Sequence, residues 1–285
     1  MTLQSLKKET TAALLSAGIE DAEEEALEFI CAATDVDLHQ MMMSFDTTAP
    51  DDVVCKVSDY IKRRIAGEPL QYIIGHWFFY GRKFFVGEGV LIPRDDTEVV
   101  LRATFPHLDR VKAHHFPAIL DLCSGSGILA ITLKCEYPES RVCAVEISDK
   151  ATAYLKKNAE ENKASVNVIQ NDLFLCADSF EDGSLDLIIS NPPYIRSDEI
   201  SALQKEVLRE PALALDGGED GCDFYRGIIS LYSKKLRHSG MLAFELDSEQ
   251  AHTVAALMET EGFSDIRIFD DLGGIHRAVS GIYLK

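Results

Sequence analysis

The sequence predicts an α/β protein with a doubly wound, mostly parallel sheet, preceded by a small helical domain. After about residue 115, short apolar runs alternate with helical stretches, as is typical of parallel strands joined by helices. Before about residue 65, apolar residues recur at helical spacing instead. The length of 285 residues leaves room for two domains, each with a core of its own.

The front of the chain reads as helices with recognisable start signals. Asp21 followed by Glu24 predicts a capping box, and the acidic run after Pro50 predicts a second helix start. Aromatic and β-branched residues punctuated by glycine follow, which predicts a hairpin. We therefore expect a helical substrate-docking domain over residues 1–72, a hairpin connector over 73–92 and a larger domain over 93–285.

The larger domain contains seven predicted strands and at least four helices. The strands are placed at 118–122, 141–147, 166–170, 185–190, 240–246, 265–269 and 279–284, with helices at 128–137, 150–162, 224–237 and 249–261. The last two strands are separated by about nine residues, which is too few for a helical crossover. The seventh strand is therefore expected to run antiparallel.

Charge and composition exclude several classes of protein. The chain has 28 basic and 47 acidic residues, a net charge of −19, so extended binding to duplex nucleic acid is not expected. No apolar run approaches the roughly 20 residues of a membrane helix, and no secretion signal is present. Seven scattered cysteines without a Cys-x-x-Cys pair indicate buried free thiols. These features predict a cytoplasmic protein.

A glycine-containing turn joins the first strand to its helix. The run Cys123–Gly127 reads Cys-Ser-Gly-Ser-Gly, and glycines at such a turn let the backbone approach a ligand at the helix N-terminus. Glu146 ends the next strand, where an acid can accept hydrogen bonds from a ribose diol. Asp172 follows the third strand at the same edge. This pattern fits either a nicotinamide dinucleotide or S-adenosylmethionine.

The end of the fourth strand favours S-adenosylmethionine. The tetrapeptide Asn191–Tyr194 reads Asn-Pro-Pro-Tyr and follows that strand directly. An amide or exocyclic amine nitrogen is a poor nucleophile and must be oriented towards the methyl group. The Asn191 side-chain oxygen and the Pro192 carbonyl can each accept one N–H of the target NH₂, and Tyr194 can lie against its flat group. The prolines hold these acceptors rigidly.

These motifs resemble class I S-adenosylmethionine-dependent amino-methyltransferases. Further motifs resemble one branch, the PrmC/HemK glutamine methyltransferases of peptide chain release factors, over nearly the whole chain. These are Gly67–Gly75 (GEPLQYIIG), Ile92–Glu98 (IPRDDTE), and Glu210-Pro211 with the glycines that follow up to Gly221. The fold implied is the Rossmann-like class I methyltransferase sheet.

The resemblance implies methylation of the glutamine side-chain nitrogen in the Gly-Gly-Gln loop of class 1 release factors. Catalytic roles then fall on Asn191, Pro192 and Tyr194, with Pro193 completing the substrate clamp. The implied cofactor contacts are Cys123, Ser124, Gly125, Ser126, Gly127, Glu146, Asp172, Leu173 and Asn191. Glu146 stands where the family usually has Asp, and Leu173 stands where an aromatic residue often flanks adenine.

Two other functions remain open at this stage. Asn-Pro-Pro-Tyr also serves adenine N6 and guanine N2 methylation, so a nucleic-acid amino-methyltransferase is the alternative, although the acidic charge disfavours it. A noncatalytic module that binds a release factor or a ribosomal protein is a third possibility. We expect no metal at His114 and His115, no direct nucleic-acid partner, no membrane contact and a monomer. Arg94 is expected either to border the cofactor pocket or to pair with an acid.

Overall fold

The computed structural model describes residues 1–285, and the chain divides into two compact units. The first contains Met1–His76 together with the short segment Gln204–Arg209. The second contains Trp77–Leu203 and Glu210–Lys285. The predicted domain limits at residues 72 and 92 stay predictions. No helix is long and apolar enough to cross a membrane.

The first unit is helical. Its helices are α1 (Leu3–Ser16), α2 (Ala22–Thr34), α3 (Leu38–Ser44), α4 (Asp51–Ile65) and α5 (Leu70–Ile74). The apolar positions that carried the helical spacing are buried against one another, including Leu3, Leu6, Ile30 and Val57. Burial of this shared apolar stripe is what makes these short helices stable.

The predicted capping box at Asp21 is wrong. Asp21 precedes α2, but its side chain makes no capping hydrogen bond. Its backbone has φ −86° and ψ 29°, whereas a capping residue needs an extended backbone for its side chain to reach back. The helix start after Pro50 is confirmed, since α4 begins at Asp51.

A buried ion-pair cluster ties the segment Gln204–Arg209 to the rest of the first unit. The Arg64 guanidinium donates to both oxygens of Glu25 at 2.7 and 2.9 Å. It also donates to Glu206 at 2.8 Å, and Arg209 donates to the Ala66 carbonyl at 3.1 Å. Planar two-point pairing of this kind is geometrically specific, so Arg64 fixes the place of the short segment.

The second unit opens with a hairpin and is dominated by a seven-stranded sheet. The hairpin pairs β1 (His76–Phe79) with β2 (Arg82–Phe85). The sheet strands are β3 (Ala118–Leu122), β4 (Arg141–Glu146), β5 (Asn167–Gln170), β6 (Leu185–Ser190), β7 (Leu236–Glu245), β8 (Phe263–Asp270) and β9 (His276–Tyr283). Their order is β5-β4-β3-β6-β7-β9-β8.

The direction of the strands confirms the predicted sheet. Strands β3 to β7 pair in parallel, whereas β9 lies antiparallel between β7 and β8. The chain passes from β3 to β5 on one side and returns with β6 on the other side of β3. Ligands of such sheets bind at this point of reversal, beyond the carboxyl ends of the strands.

Helices cover both faces of the sheet, and one of them was not predicted. They are α6 (Thr97–Lys112), α7 (Ile128–Glu136), α8 (Asp149–Glu161), α9 (Leu173–Cys176), α10 (Asp223–Tyr232) and α11 (Ala251–Glu261). Helix α6 had no counterpart in the prediction. The helix predicted over 224–237 ends early, because the chain passes through a 3₁₀ turn and enters β7 at Leu236.

The cysteines are all free, as predicted, but their predicted burial is only partly correct. Cys176 and Cys222 are buried, four others are half-buried, and Cys55 is exposed. Cys55 lies on α4, and its exposed position shows that neighbouring apolar residues alone do not predict which face a helical cysteine occupies.

Candidate active site

The turn after β3 is held in a left-handed backbone conformation. Cys123, Gly125 and Gly127 have φ of 58°, 54° and 88°. A side chain at Gly127 would place its Cβ 2.8 Å from Ile131 Cδ1 and 3.0 Å from Leu155 Cγ. Glycine is therefore required there both by conformation and by space. Cys123 adopts the same region without that freedom, which marks a backbone held by its surroundings.

Glu146 fastens this turn from the neighbouring strand. It ends β4, and its Oε2 accepts a hydrogen bond from the Gly125 N–H at 2.7 Å. Its Oε1 accepts one from the Ser148 N–H at 2.8 Å. Burial raises the pKa of Glu146, and these two backbone N–H groups oppose that rise. A carboxylate has about four acceptor sites, so capacity for a ligand remains.

Aromatic residues form the next part of the wall. Asp172 caps α9 by accepting from the Phe174 N–H at 2.8 Å, and Leu173 is buried in the core. Phe174 and Phe224 lie with ring centroids 5.5 Å apart, and both face the cavity. The aromatic surface expected near position 173 is therefore supplied one residue later and from α10.

The tetrapeptide Asn191–Tyr194 follows β6, whose six residues are all buried. The Asn191 Nδ2 donates to the Thr97 Oγ1 at 3.3 Å. The Tyr194 carbonyl accepts from the Gln250 Nε2 at 2.7 Å. A Cβ at Gly217 would lie 2.7 Å from the Tyr194 Cα, so the following loop packs directly on this backbone. The tetrapeptide is fixed from both sides.

One cavity brings most of the predicted residues together. The predicted residues that line it are Cys123, Gly125, Glu146, Asp172, Leu173, Asn191 and Pro193. A smaller cavity shares Cys123, Gly125 and Asn191 with it and adds Ser124 and Ser126. Gly127, Pro192 and Tyr194 lie in neither lining. Gly127 and Tyr194 contribute through the backbone conformation and packing described above.

Asp121 was not predicted as a site residue, yet it lines the smaller cavity. Its Oδ2 accepts from the Ala130 N–H at 3.1 Å, whereas its Oδ1 has no hydrogen-bond partner. Burial raises the pKa of Asp121 to about 8. The acid that opens the glycine turn was visible in the sequence, but its position inside the strand concealed its exposure to the cavity.

Arg94 fulfils both expectations for it. It lines the smaller cavity, and its guanidinium pairs with the buried carboxylate of Glu210. The other Glu210 oxygen accepts from the Ile92 N–H at 2.9 Å. Glu210 thereby joins the loop after the tetrapeptide to the segment before α6, at one rim of the site.

The histidines before β3 lie away from this cavity. The His115 Nε2 contacts the Asp186 Oδ1 at 2.8 Å, and Asp186 also pairs with Arg237 at 2.9 Å. Asp186 begins its strand at the end opposite to Asn191. The structure contains no group of three or more His, Cys, Asp or Glu side chains that could hold a metal ion.

Comparisons with known proteins give consistent results. Residues 5–75 match the family described as PrmC N-terminal domain, and residues 101–219 match the family described as Methyltransferase small domain. The release factor glutamine methyltransferase of Geobacter sulfurreducens is 37% identical over 281 residues, covering 98% of this chain and 96% of the relative. That of Thermodesulfovibrio yellowstonii is 39% identical over 261 residues, covering 90% of each.

Two solved structures share the fold. A methyltransferase from Pyrococcus furiosus is 14% identical, with a TM-score of 0.51 over 80% of this chain and 100% of that one. The hMettl16 catalytic domain in complex with a MAT2A 3'UTR hairpin is 16% identical, with a TM-score of 0.57 over 82% and 83% of the two chains. At this identity, they support the methyltransferase fold of the sheet and nothing finer.

Proposed function

The chain belongs to the family of release factor glutamine methyltransferases, and from that membership we propose which of its residues perform the reaction. The enzyme transfers a methyl group from S-adenosyl-L-methionine to the side-chain nitrogen N5 of a release factor glutamine. We place the cofactor at the turn Cys123–Gly127 and the glutamine amide at Asn191–Tyr194. The observation that carries this placement is that Asn191 and the turn line the same cavity.

The residues of the cavity fit S-adenosyl-L-methionine. Glu146 faces the cavity with acceptor capacity for the ribose hydroxyls, and the Phe174–Phe224 pair offers a flat apolar surface for adenine. The unpartnered Asp121 Oδ1 is suited to a cationic group. When bound, the cofactor supplies an electrophilic methyl group on a sulfonium and leaves as S-adenosyl-L-homocysteine.

The acceptor amide needs orientation rather than a strong base. Its nitrogen lone pair is delocalised into the carbonyl, which makes it a weak nucleophile. The Asn191 Oδ1 and the Pro192 carbonyl accept its two N–H groups, so the lone pair is held in one direction and developing positive charge is stabilised. The alkylated nitrogen is far more acidic and loses its proton to water or to the Asn191 oxygen.

The finer identity of the substrate and the state of the enzyme belong to the same proposal. We propose that the target is the glutamine of the Gly-Gly-Gln loop in class 1 release factors, and that the enzyme acts as a monomer in the cytoplasm. Tyr194 and Pro193 pack beside the amide acceptors and limit the space around a flat group.

Family membership favours glutamine methylation over the nucleic-acid alternative. The formal net charge of −19 points the same way, because binding to nucleic acid depends on neutralising phosphates with Lys and Arg. The similarity to an RNA-bound methyltransferase domain is one of fold, at 16% identity.

The experiment that tests the proposal measures transfer of a labelled methyl group to a purified class 1 release factor. One substrate carries the intact Gly-Gly-Gln loop and the other has its glutamine replaced by alanine. We expect label in the first only, confined to the loop peptide after proteolysis. Equal label in both would reject the target, and label in an RNA oligonucleotide but in neither protein would support the alternative. Titration with S-adenosylmethionine beside NAD tests the cofactor separately.

A further inference from the structure

Glu245 is a buried carboxyl group beside the acceptor residues that the chemistry above does not use. It ends β7, and 2% of its surface is exposed. Its Oε2 atom has no hydrogen-bond partner. A carboxylate in such surroundings is costly unless its few partners hold it for a purpose.

Two hydroxyl groups of the site reach this carboxyl group. The side chains of Thr97 and Tyr194 hydrogen-bond to Glu245, and both lower its pKa. Burial outweighs them and raises the pKa of Glu245 to about 7. Of the charged neighbours, Asp96 adds to the rise and Arg277 opposes it. Arg277 is itself paired with Asp96 at 3.2 Å.

The remaining groups near Glu245 do not change charge near neutral pH. Tyr225 on α10 donates its hydroxyl to the Glu245 main-chain carbonyl at 3.0 Å, and burial raises the pKa of that phenol. Burial also raises the pKa of Tyr194. Asp247 lies two residues beyond Glu245 and is half-buried. Glu245 is thus the group of this cluster that titrates near pH 7.

Thr97 connects Glu245 to Asn191. The Thr97 hydroxyl is fully buried and has one proton to donate. When that proton goes to an ionised Glu245, the Thr97 oxygen is left to accept from the Asn191 Nδ2, as observed at 3.3 Å. The amide of Asn191 then has its NH₂ towards Thr97 and its Oδ1 free for the substrate.

We propose that Glu245 is a positioning residue that sets the orientation of the Asn191 amide through the Thr97 hydroxyl. The inference rests on the proposed role of Asn191 as acceptor of the substrate N–H. A protonated Glu245 donates to Thr97, whose own proton can then point to the Asn191 Oδ1. The Asn191 amide turns over, and its NH₂ meets the NH₂ of the substrate, which cannot be held there.

The test is the pH dependence of turnover with saturating S-adenosylmethionine and release factor. For the natural enzyme, we expect kcat to fall about tenfold for each pH unit below the midpoint near 7. In Glu245→Gln this acidic limb disappears, and kcat is flat from about pH 6 to 8 at a reduced level. The exposed Glu249→Gln serves as the matched control and keeps the natural profile.

Variants of Thr97 test the relay itself. Thr97→Val removes the hydroxyl, so we expect kcat to fall about tenfold and to lose its acidic limb, while the dissociation constant of the cofactor is unchanged. Thr97→Ser keeps the hydroxyl and restores both the rate and the limb. A merely structural role for Thr97 would not move the pH profile in this way.

The outcomes separate this inference from the proposed function. Glu245→Gln with the natural acidic limb would overturn the relay, since Asp121, the other buried carboxyl with a raised pKa, is intact in that variant. If Glu245→Gln does not fold, Thr97→Val decides: the natural rate and profile in that variant would overturn the relay. A natural enzyme that labels no glutamine at any pH would instead contradict the proposed function.

Discussion

The two sides of the cavity are held by different kinds of group. The cofactor side, residues 123–127 with Glu146, is fixed by backbone N–H groups and by left-handed glycines. The acceptor side, Asn191 with Thr97 and Glu245, is fixed by side chains from three separate segments. The cofactor side therefore tolerates changes of pH and fails when its backbone is changed, whereas the acceptor side depends on the charge and orientation of a few polar groups.

The largest effect is expected from the acceptor side. Asn191→Ala removes the acceptor of one substrate N–H, and we expect kcat to fall by about 10² or more while the cofactor still binds normally. Single-turnover methyl transfer and calorimetric titration of the cofactor measure the two quantities. Asn167→Ala, at an exposed position of β5, is the matched control and should be neutral. An active Asn191→Ala enzyme would refute the acceptor role.

The cofactor side should show the opposite separation. Glu146→Gln removes the charge and places an NH₂ against a backbone N–H of Gly125 or Ser148. We expect the dissociation constant of S-adenosylmethionine to rise about 10- to 100-fold, with kcat at saturating cofactor nearly unchanged. Glu139→Gln, on an exposed turn, is the control. A fall in kcat without weaker binding would show that the two sides are not separable.

A backbone change sharpens the comparison further. Gly127→Ala must adopt a positive φ and also contacts Ile131 and Leu155, so we expect a loss of about 2 kcal/mol in the free energy of unfolding together with weaker cofactor binding. Gly183→Ala also has a positive φ, but nothing lies within 4 Å of its Cβ. The difference between the two variants in denaturant unfolding isolates the packing contribution. Equal stability loss would show that this packing is unimportant.

The smallest effect concerns the aromatic wall. Phe174→Ala removes one ring of the pair with Phe224, and we expect about fivefold weaker cofactor binding with no change in the pH profile. Phe116→Ala, which removes a ring that is 64% exposed, should bind the cofactor normally. Unchanged affinity in Phe174→Ala would place adenine elsewhere in the cavity.

The cofactor side was predictable from the sequence because its signals are local. The glycine turn follows its strand directly, and Glu146 ends the next strand, so strand order alone brings them together. The Asn191 tetrapeptide was found for the same reason. Its chemistry depends on residue types at the end of one strand and not on distant partners.

The supports of the acceptor side were not predictable in this way. Thr97 begins α6, a helix whose β-branched residues and internal Pro106 weaken the helical signal. Glu245 ends β7, 148 positions further along than Thr97, and only the tertiary fold brings the two together. Phe174 was missed because position 173 was read as the wall, whereas Leu173 is part of the core and the next residue carries the ring.

A crystal structure of the enzyme with S-adenosylhomocysteine and a Gly-Gly-Gln peptide tests the central claim most directly. The account predicts the glutamine nitrogen within hydrogen-bonding distance of both the Asn191 Oδ1 and the Pro192 carbonyl, with the Asn191 Nδ2 still on Thr97. A glutamine nitrogen that contacts neither acceptor, in a complex that transfers methyl groups when the active cofactor is supplied, would contradict it.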